Sequence, residues 1–288
     1  MKIIDRCPIC GKKGVLIHKG VRDNKDINVY KCTFCETKYL DKNIVMDYSN
    51  DEMLNDKVKS NEDIIKWLDN CYIDDYRRFK MVSDICESKK VLDFGCGFGG
   101  FLNLIKQNAS LIEGVELGKI ERQYLASKNI TTYDDIRKCN KQYDVITLFH
   151  CFEHLDEPQK WLDLLWDYLE EEGYLVIEVP NGNDALLELY NCKQFEDFTY
   201  WSAHLNLFTS KSLEMLINST NKYSIFIKTQ LQRYSLANSL FWLSDGKPGG
   251  QNVYKMFNEK RINEEYTKIL RENDMCDTLF YVLRKRKQ

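Results

Sequence analysis

The strongest constraint in this chain is a short apolar run that stops at a cluster of glycines. Val91-Leu92-Asp93-Phe94 leads into Gly95-Cys96-Gly97-Phe98-Gly99-Gly100, and a helix opens there. Glycines at such a turn let a ligand approach the backbone closely and set a helix N-terminus beside it. From Lys90 onward strands and helices alternate, which predicts an α/β fold around a parallel sheet. The predicted strands are Val91–Phe94, Leu111–Glu116, a short one near Ile130–Thr132, Tyr143–Phe149 and Tyr174–Val179. Between the last two, Asp156 is expected to cap a helix with the stripe Trp161, Leu162, Leu165, Tyr168 and Leu169, stopped by Gly173. Another helix starts at Thr209 or Ser210 and carries Leu213, Leu216 and Ile217. Two last strands, Ser224–Leu231 and Thr278–Arg284, are expected to close the sheet as an antiparallel edge. The insertions 181–208 and 232–276 each leave the sheet after a strand, so both are expected over its carboxyl edge, where open α/β sheets bind ligands.

A chain of 288 residues holds one such domain plus a small appendage. With 43% hydrophobic and 30% charged residues it reads as an ordinary soluble protein. A net charge of −3 offers no general attraction to nucleic acid or anionic lipid, and neither partner is expected. The start, MKIIDRCPIC, has no apolar leader and no stretch reaches the ~20 apolar residues of a membrane span, so a cytoplasmic location is expected. Four of the 11 cysteines form two tight pairs, Cys7-x-x-Cys10 and Cys32-x-x-Cys35, with strand-like pieces at Val15–His18 and Ile27–Lys31 between them. This is zinc-ribbon spacing, in which two turns each grip one ion with two thiolates and leave no open position. The predicted organisation is a zinc-ribbon module over 1–45, a helical linker over 46–89 with apolar positions such as Ile64, Ile65, Trp67, Leu68, Tyr76, Phe79 and Val82, and the α/β domain over 90–288. The other seven cysteines receive no role.

Gly95-x-Gly97-x-x-Gly100 alone also satisfies the dinucleotide fingerprint. Asp93 separates the two readings, because a carboxylate inside the strand suits the ammonium end of a methionine and sits badly beside a pyrophosphate. Glu116, about 20 residues beyond the glycines, is placed to accept ribose hydroxyls. The run from Val91 to Gly99, the acidic end of the second strand, and Phe149-His150-Cys151-Phe152-Glu153-His154-Leu155 after the fourth together resemble the class I methyltransferases over about residues 76–231. The resemblance implies a seven-stranded Rossmann-like sheet with S-adenosylmethionine as methyl donor. It further implies a donor site of Asp93, Gly95, Gly97, Gly99 and Glu116, an acid near the adenine amine at Asp134 or Asp135, with Asp134 preferred, and backbone lining at Phe149 and His150. His150 and His154 stand four apart, but no H-E-x-x-H is present, and they are read as packing residues.

After the fifth strand come Glu178-Val179-Pro180-Asn181 and Tyr200-Trp201-Ser202-Ala203-His204-Leu205-Asn206-Leu207-Phe208. These segments are similar to the E-V-P and H-L-x-x-F segments of sugar methyltransferases from deoxysugar and surface-polysaccharide pathways, some of which begin with a four-cysteine zinc module. In the C-methylating members a glutamate and a further histidine precede the histidine, where this chain has Ser202 and Ala203. O-methylation, with His204 as the base near the attacked hydroxyl, is therefore the expected chemistry. Tyr200, Arg233, Tyr234 and Lys247 are the candidate acceptor-binding residues; Arg233 and Lys247 are suited to an anionic group such as a phosphate, and Tyr234 and Trp242 offer faces for a sugar or base. The expected acceptor is a small molecule, a nucleotide-linked sugar or other phosphorylated glycan precursor. The competing readings are an rRNA methyltransferase with a zinc module, a sugar C-methyltransferase and a non-enzymatic cofactor-binding scaffold. Against the rRNA enzyme, Phe149-His150-Cys151-Phe152 replaces the N/D-P-P-Y type of loop that holds a base.

Overall fold

A computed structural model describes residues 2–43, 58 and 60–287, so the expected boundary at 45/46 and the helix-like reading of 49–57 lie outside the described residues. After a short bridge of Lys2–Ile3 with Lys42–Asn43, the N-terminal module has three strands, β1 (Gly14–His18), β2 (Val29–Cys32) and β3 (Lys38–Leu40). Helix α1 (Asn61–Cys86) is followed by β4 (Lys90–Phe94), α2 (Gly100–Ile105), β5 (Leu111–Val115), α3 (Lys119–Ser127), β6 (Thr131–Tyr133) and β7 (Tyr143–Phe149). Then come α4 (Pro158–Asp167), β8 (Leu169–Pro180), α5 (Lys193–Thr199), β9 (Asn206–Leu207), α6 (Ser210–Thr220), β10 (Tyr223–Leu231), α7 (Leu236–Asp245), α8 (Lys260–Glu272) and β11 (Thr278–Lys285). The main sheet has seven strands in the order β10-β11-β8-β7-β4-β5-β6. This is the seven-stranded Rossmann-like arrangement that the resemblance implied. β4, β7 and β8 are buried on both faces, which is why they read as nearly continuous apolar runs.

The two last strands close the sheet as an antiparallel pair, as expected, and the structure adds their order. Only β11 runs antiparallel, and it lies one strand in, between β8 and β10. β10, antiparallel to β11, is parallel to the rest and forms the edge. Burial explains the order: Leu279 to Leu283 in β11 are wholly buried, while Phe226, Ile227 and Lys228 in β10 face outward. The helix expected from Asp156 to Gly173 is corrected. Glu157 is the N-cap, Pro158 opens the helix, and it ends at Asp167 because Leu169 already pairs with Tyr143 of β7. Gly173 stands instead at a register shift within β8, where a Cβ would lie 2.8 Å from the Glu170 carbonyl oxygen. Thr209 caps α6, with a reciprocal bond to Ser212.

The ribbon is joined to the first insertion. β9 pairs antiparallel with β3, extending the ribbon into a four-stranded sheet. Val21, Ile27, Val29 and Leu40 of the ribbon share one apolar core with Leu187, Tyr200, Leu205 and Leu207. α1 packs Phe79, Val82, Ile85 and Cys86 on the sheet, and its first half, with Ile64 and Leu68, covers Phe98 of the glycine turn. Ile65, Trp67 and Tyr76 of the same helix face outward. Among the described residues no helix is long and apolar enough to cross a membrane.

Candidate active site

The carboxyl edge of the sheet gathers the acidic residues and glycines of the proposed donor site. Asp93 is buried in β4, where Thr147 Oγ1 of β7 donates to it at 2.7 Å, and burial pushes its pKa up to about 7. Gly95 holds φ at 81°, and a Cβ there would stand 2.7 Å from Cys151 Sγ, so the turn requires glycine on both counts. At Gly97, with φ 51°, the space beside the backbone is open. Glu116 follows β5 and ties the loops together, accepting from the amides of Gly97 at 2.8 Å and Gly118 at 2.9 Å. Gly99, with φ 73°, caps α2. Asp134 lies just past β6 on the surface, paired with Lys138 at 2.6 Å. Phe149 ends β7, edge-on to Phe101 and under the Arg78 guanidinium at 4.9 Å.

A charged network behind this edge was missed in the sequence. Glu178 of β8 is fully buried and takes hydrogen bonds from Arg77 at 2.8 and 3.1 Å and from Arg78 at 3.0 and 2.8 Å. Burial pushes the Glu178 pKa up, but His150 and the two guanidinium groups more than offset it and hold it well below the usual carboxylate range. Asp74 joins Arg77 to Arg233 of the second insertion, and Arg233 in turn donates to His150 Nε2 at 2.8 Å. The signal was the run Asp74-Asp75-Tyr76-Arg77-Arg78, in which acids and bases three apart share one helix face.

Beyond the network, a cavity of about 350 Å³ opens between the two insertions. Its apolar side is an aromatic group, Phe195 and Phe198 of α5 with Trp242 of α7 at centroid distances of 5.2 Å. Its polar side holds Glu153, His154 and His204, with His150, Arg233 and Tyr234 at the boundary. The rings of His154 and His204 lie 5.1 Å apart. Burial pushes the His204 pKa down to about 4. Tyr200 does not line the cavity; its ring is buried in the core shared with the ribbon, because the chain turns there towards β3. Lys247 also stands outside the lining, with Nζ 5.5 Å above the Phe241 ring.

At the N-terminus the four expected thiols converge. Sγ of Cys7 and Cys35 are 3.4 Å apart, those of Cys10 and Cys32 3.4 Å, and those of Cys10 and Cys35 3.5 Å. A tetrahedral ion with bonds of about 2.3 Å requires sulfurs roughly 3.8 Å apart, so the thiol set fits zinc after shifts of a few tenths of an ångström.

Comparison with known proteins agrees with this architecture. The family described as methyltransferase domain matches residues 70–221, more than half of the chain. The ubiquinone biosynthesis O-methyltransferase of Shewanella sp. (strain ANA-3) is 24% identical over 151 residues, covering 49% of this chain and 58% of that one. Its counterpart in Haemophilus ducreyi is 27% identical over 108 residues, 32% of this chain and 46% of that one. The chain thus spans about half the length of the curated relatives it matches. Among solved structures, the N-methyltransferase NodS from Bradyrhizobium japonicum WM9, in complex with S-adenosylhomocysteine, superposes with a TM-score of 0.50 at 12% identity, over 84% of this chain and all of that one. Sheet order, glycine turn and family match agree, and the chain belongs to the methyltransferase-domain family, a family of enzymes.

Proposed function

We propose that this chain transfers the methyl group of S-adenosylmethionine to a hydroxyl of a small polar acceptor, a nucleotide-linked sugar or other phosphorylated glycan precursor. The observation that carries the reading is the cavity built by both insertions over the carboxyl edge, reaching His150 at the end of β7, the strand that pairs with β4 and its Asp93. In this reading Asp93 takes the ammonium of the donor, Glu116 its ribose hydroxyls and Asp134 its adenine amine, with Gly95, Gly97, Gly99, Phe149 and His150 lining it. Holding donor and acceptor in line supplies much of the acceleration, since the sulfonium already activates the methyl carbon. The acceptor hydroxyl loses its proton at the wall formed by Glu153, His154 and His204. Arg233 and Tyr234 meet the acceptor directly, whereas Tyr200, packed into the ribbon's core, and Lys247, outside the lining, do not. O-methylation is supported by the names of the curated relatives. Residues 1–45 then serve as a module held by a structural zinc on Cys7, Cys10, Cys32 and Cys35, 46–89 as the helical link, and 90–288 as the catalytic domain.

The test begins with calorimetry. S-adenosylhomocysteine should bind, and Glu116→Ala should weaken it by about 1.5–3 kcal/mol, the range for hydrogen bonds to a charged group. Incubation with S-adenosylmethionine and a panel of nucleotide sugars, phosphorylated metabolites and RNA should then show one methyl of added mass on a sugar compound. Binding of NAD in place of S-adenosylhomocysteine overturns the donor; methylated RNA alone overturns the acceptor.

A further inference from the structure

Glu153 lies on the helical turn Phe152–His154 that follows β7 and faces the acceptor cavity. It is 1% exposed, and neither of its carboxylate oxygens has a hydrogen-bond partner among the described residues. His150 Nδ1 is 3.4 Å away and His154 Nε2 3.9 Å, too long or too poorly aligned to donate. Buried carboxylates are rarely left this way, because burial without a partner is costly. The two imidazoles beside it are held in one tautomer each. His154 Nδ1 is 2.8 Å from the Ala203 carbonyl oxygen, and His204 Nδ1 is 3.2 Å from that of Thr199. A carbonyl only accepts, so each Nδ1 carries a proton and Nε2 is the nitrogen of each ring left to take a ligand. One ligand atom from each of Glu153, His154 and His204 lies within 4.8 Å of the others. Three acceptors thus converge in the pocket, the nearest N–H outside the trio, on His150 Nδ1, makes no hydrogen bond to them, and backbone carbonyls orient the histidines as they do in metal centres.

The geometry points to a divalent-cation site formed by Glu153, His154 and His204, with open positions towards the cavity where the acceptor hydroxyl binds. Two imidazoles and one carboxylate suit a first-row ion such as Mn²⁺, Fe²⁺ or Zn²⁺, in contrast to the closed thiolate set of the ribbon. The assignment rests on the reading of the cavity as the acceptor site and gives its polar wall a chemistry. A hydroxyl bound to the ion is more acidic. Its proton passes to solvent water, the oxygen forms a bond to the methyl carbon as the carbon–sulfur bond breaks, and the sulfonium leaves as neutral S-adenosylhomocysteine. The ion keeps its charge throughout. His204 then serves deprotonation as a ligand of the ion that binds the hydroxyl.

Metal counting tests the site apart from turnover. The full chain, purified without chelator, is dialysed to equilibrium against Mn²⁺, and total divalent metal per chain is measured by elemental analysis. Wild type should hold one equivalent more than Glu153→Gln/His204→Ala and one more than His154→Gln, while Cys7→Ser should lose its zinc and keep the other ion. Equal metal in wild type and both cavity variants overturns the site and leaves the carboxylate to be neutralised by protons on the imidazoles. Calorimetry of S-adenosylhomocysteine on the same wild-type sample separates this outcome from failure of the methyltransferase reading, which predicts donor binding whether or not the cavity holds an ion.

Discussion

Asp93 sets a buried carboxyl inside the sheet at the proposed donor site. Its carboxyl faces Thr147, Arg78, Asp75 and Glu116, and burial raises its pKa to about 7. Raised acids stabilise the fold only while protonated: the contribution is complete below the ordinary value near 3.8 and is lost as pH climbs through about 7. An ammonium bound beside it favours the ionised form. The affinity for S-adenosylhomocysteine should therefore rise as pH increases towards about 7 and level off above it, and Asp93→Asn should flatten the profile. Calorimetry across that range checks it, and a flat wild-type profile refutes the ammonium assignment. At the other end of the site, His204→Ala should lower turnover by about 10²–10⁴-fold, the usual contribution of assisted proton removal, and leave donor affinity unchanged. A kcat within a few-fold of the parent would reduce His204 to a packing residue.

At the scale of elements, the contact between α1 and the sheet is set by charge as much as by apolar packing. Arg77 and Arg78 reach from the helix to Glu178 inside β8, and the same helix covers the glycine turn, with Asp75 against Gly100. Removing one member of a buried pair leaves the others uncompensated. Glu178→Ala should destabilise the chain by about 3–5 kcal/mol in urea unfolding. A lowered carboxylate contributes stability above its unfolded pKa and loses it as pH falls, so wild type and Glu178→Ala should converge in acid. A loss under 1 kcal/mol at neutral pH would show that apolar packing alone holds the helix.

Over the whole molecule, the four-thiol module and the cavity are mechanically joined. β9 is at once a strand of the ribbon sheet and a neighbour of His204, and Thr209 Oγ1 donates to the Cys35 carbonyl at 3.2 Å. Ser202 also bonds Asp23 of the ribbon. Disruption of the four-thiol set should therefore loosen more than the N-terminus. In Cys7→Ser, hydrogen exchange should quicken over residues 200–209 as well as in the ribbon, while the sheet strands β4 and β7 stay protected. Unchanged protection at 200–209 would mean that the insertion holds its shape without the ribbon.

The local chemistry of the chain was legible in its sequence. Glycine spacing, strand and helix periods and paired cysteines act over a few residues, so the strand that ends in the glycine turn and the four converging thiols follow from local pattern alone. The order of the two edge strands was not, although the unbroken apolar run of β11 against the mixed β10 carried a signal of it. Three arrangements were decided only by tertiary structure. Glu178 meets Arg77 and Arg78 about 100 positions away, Tyr200 is drawn into the ribbon's core, and Glu153 and His154 meet His204 across two loops. Each depends on chain segments brought together by topology, and a one-dimensional pattern contains no term for which distant side chains will share a buried space.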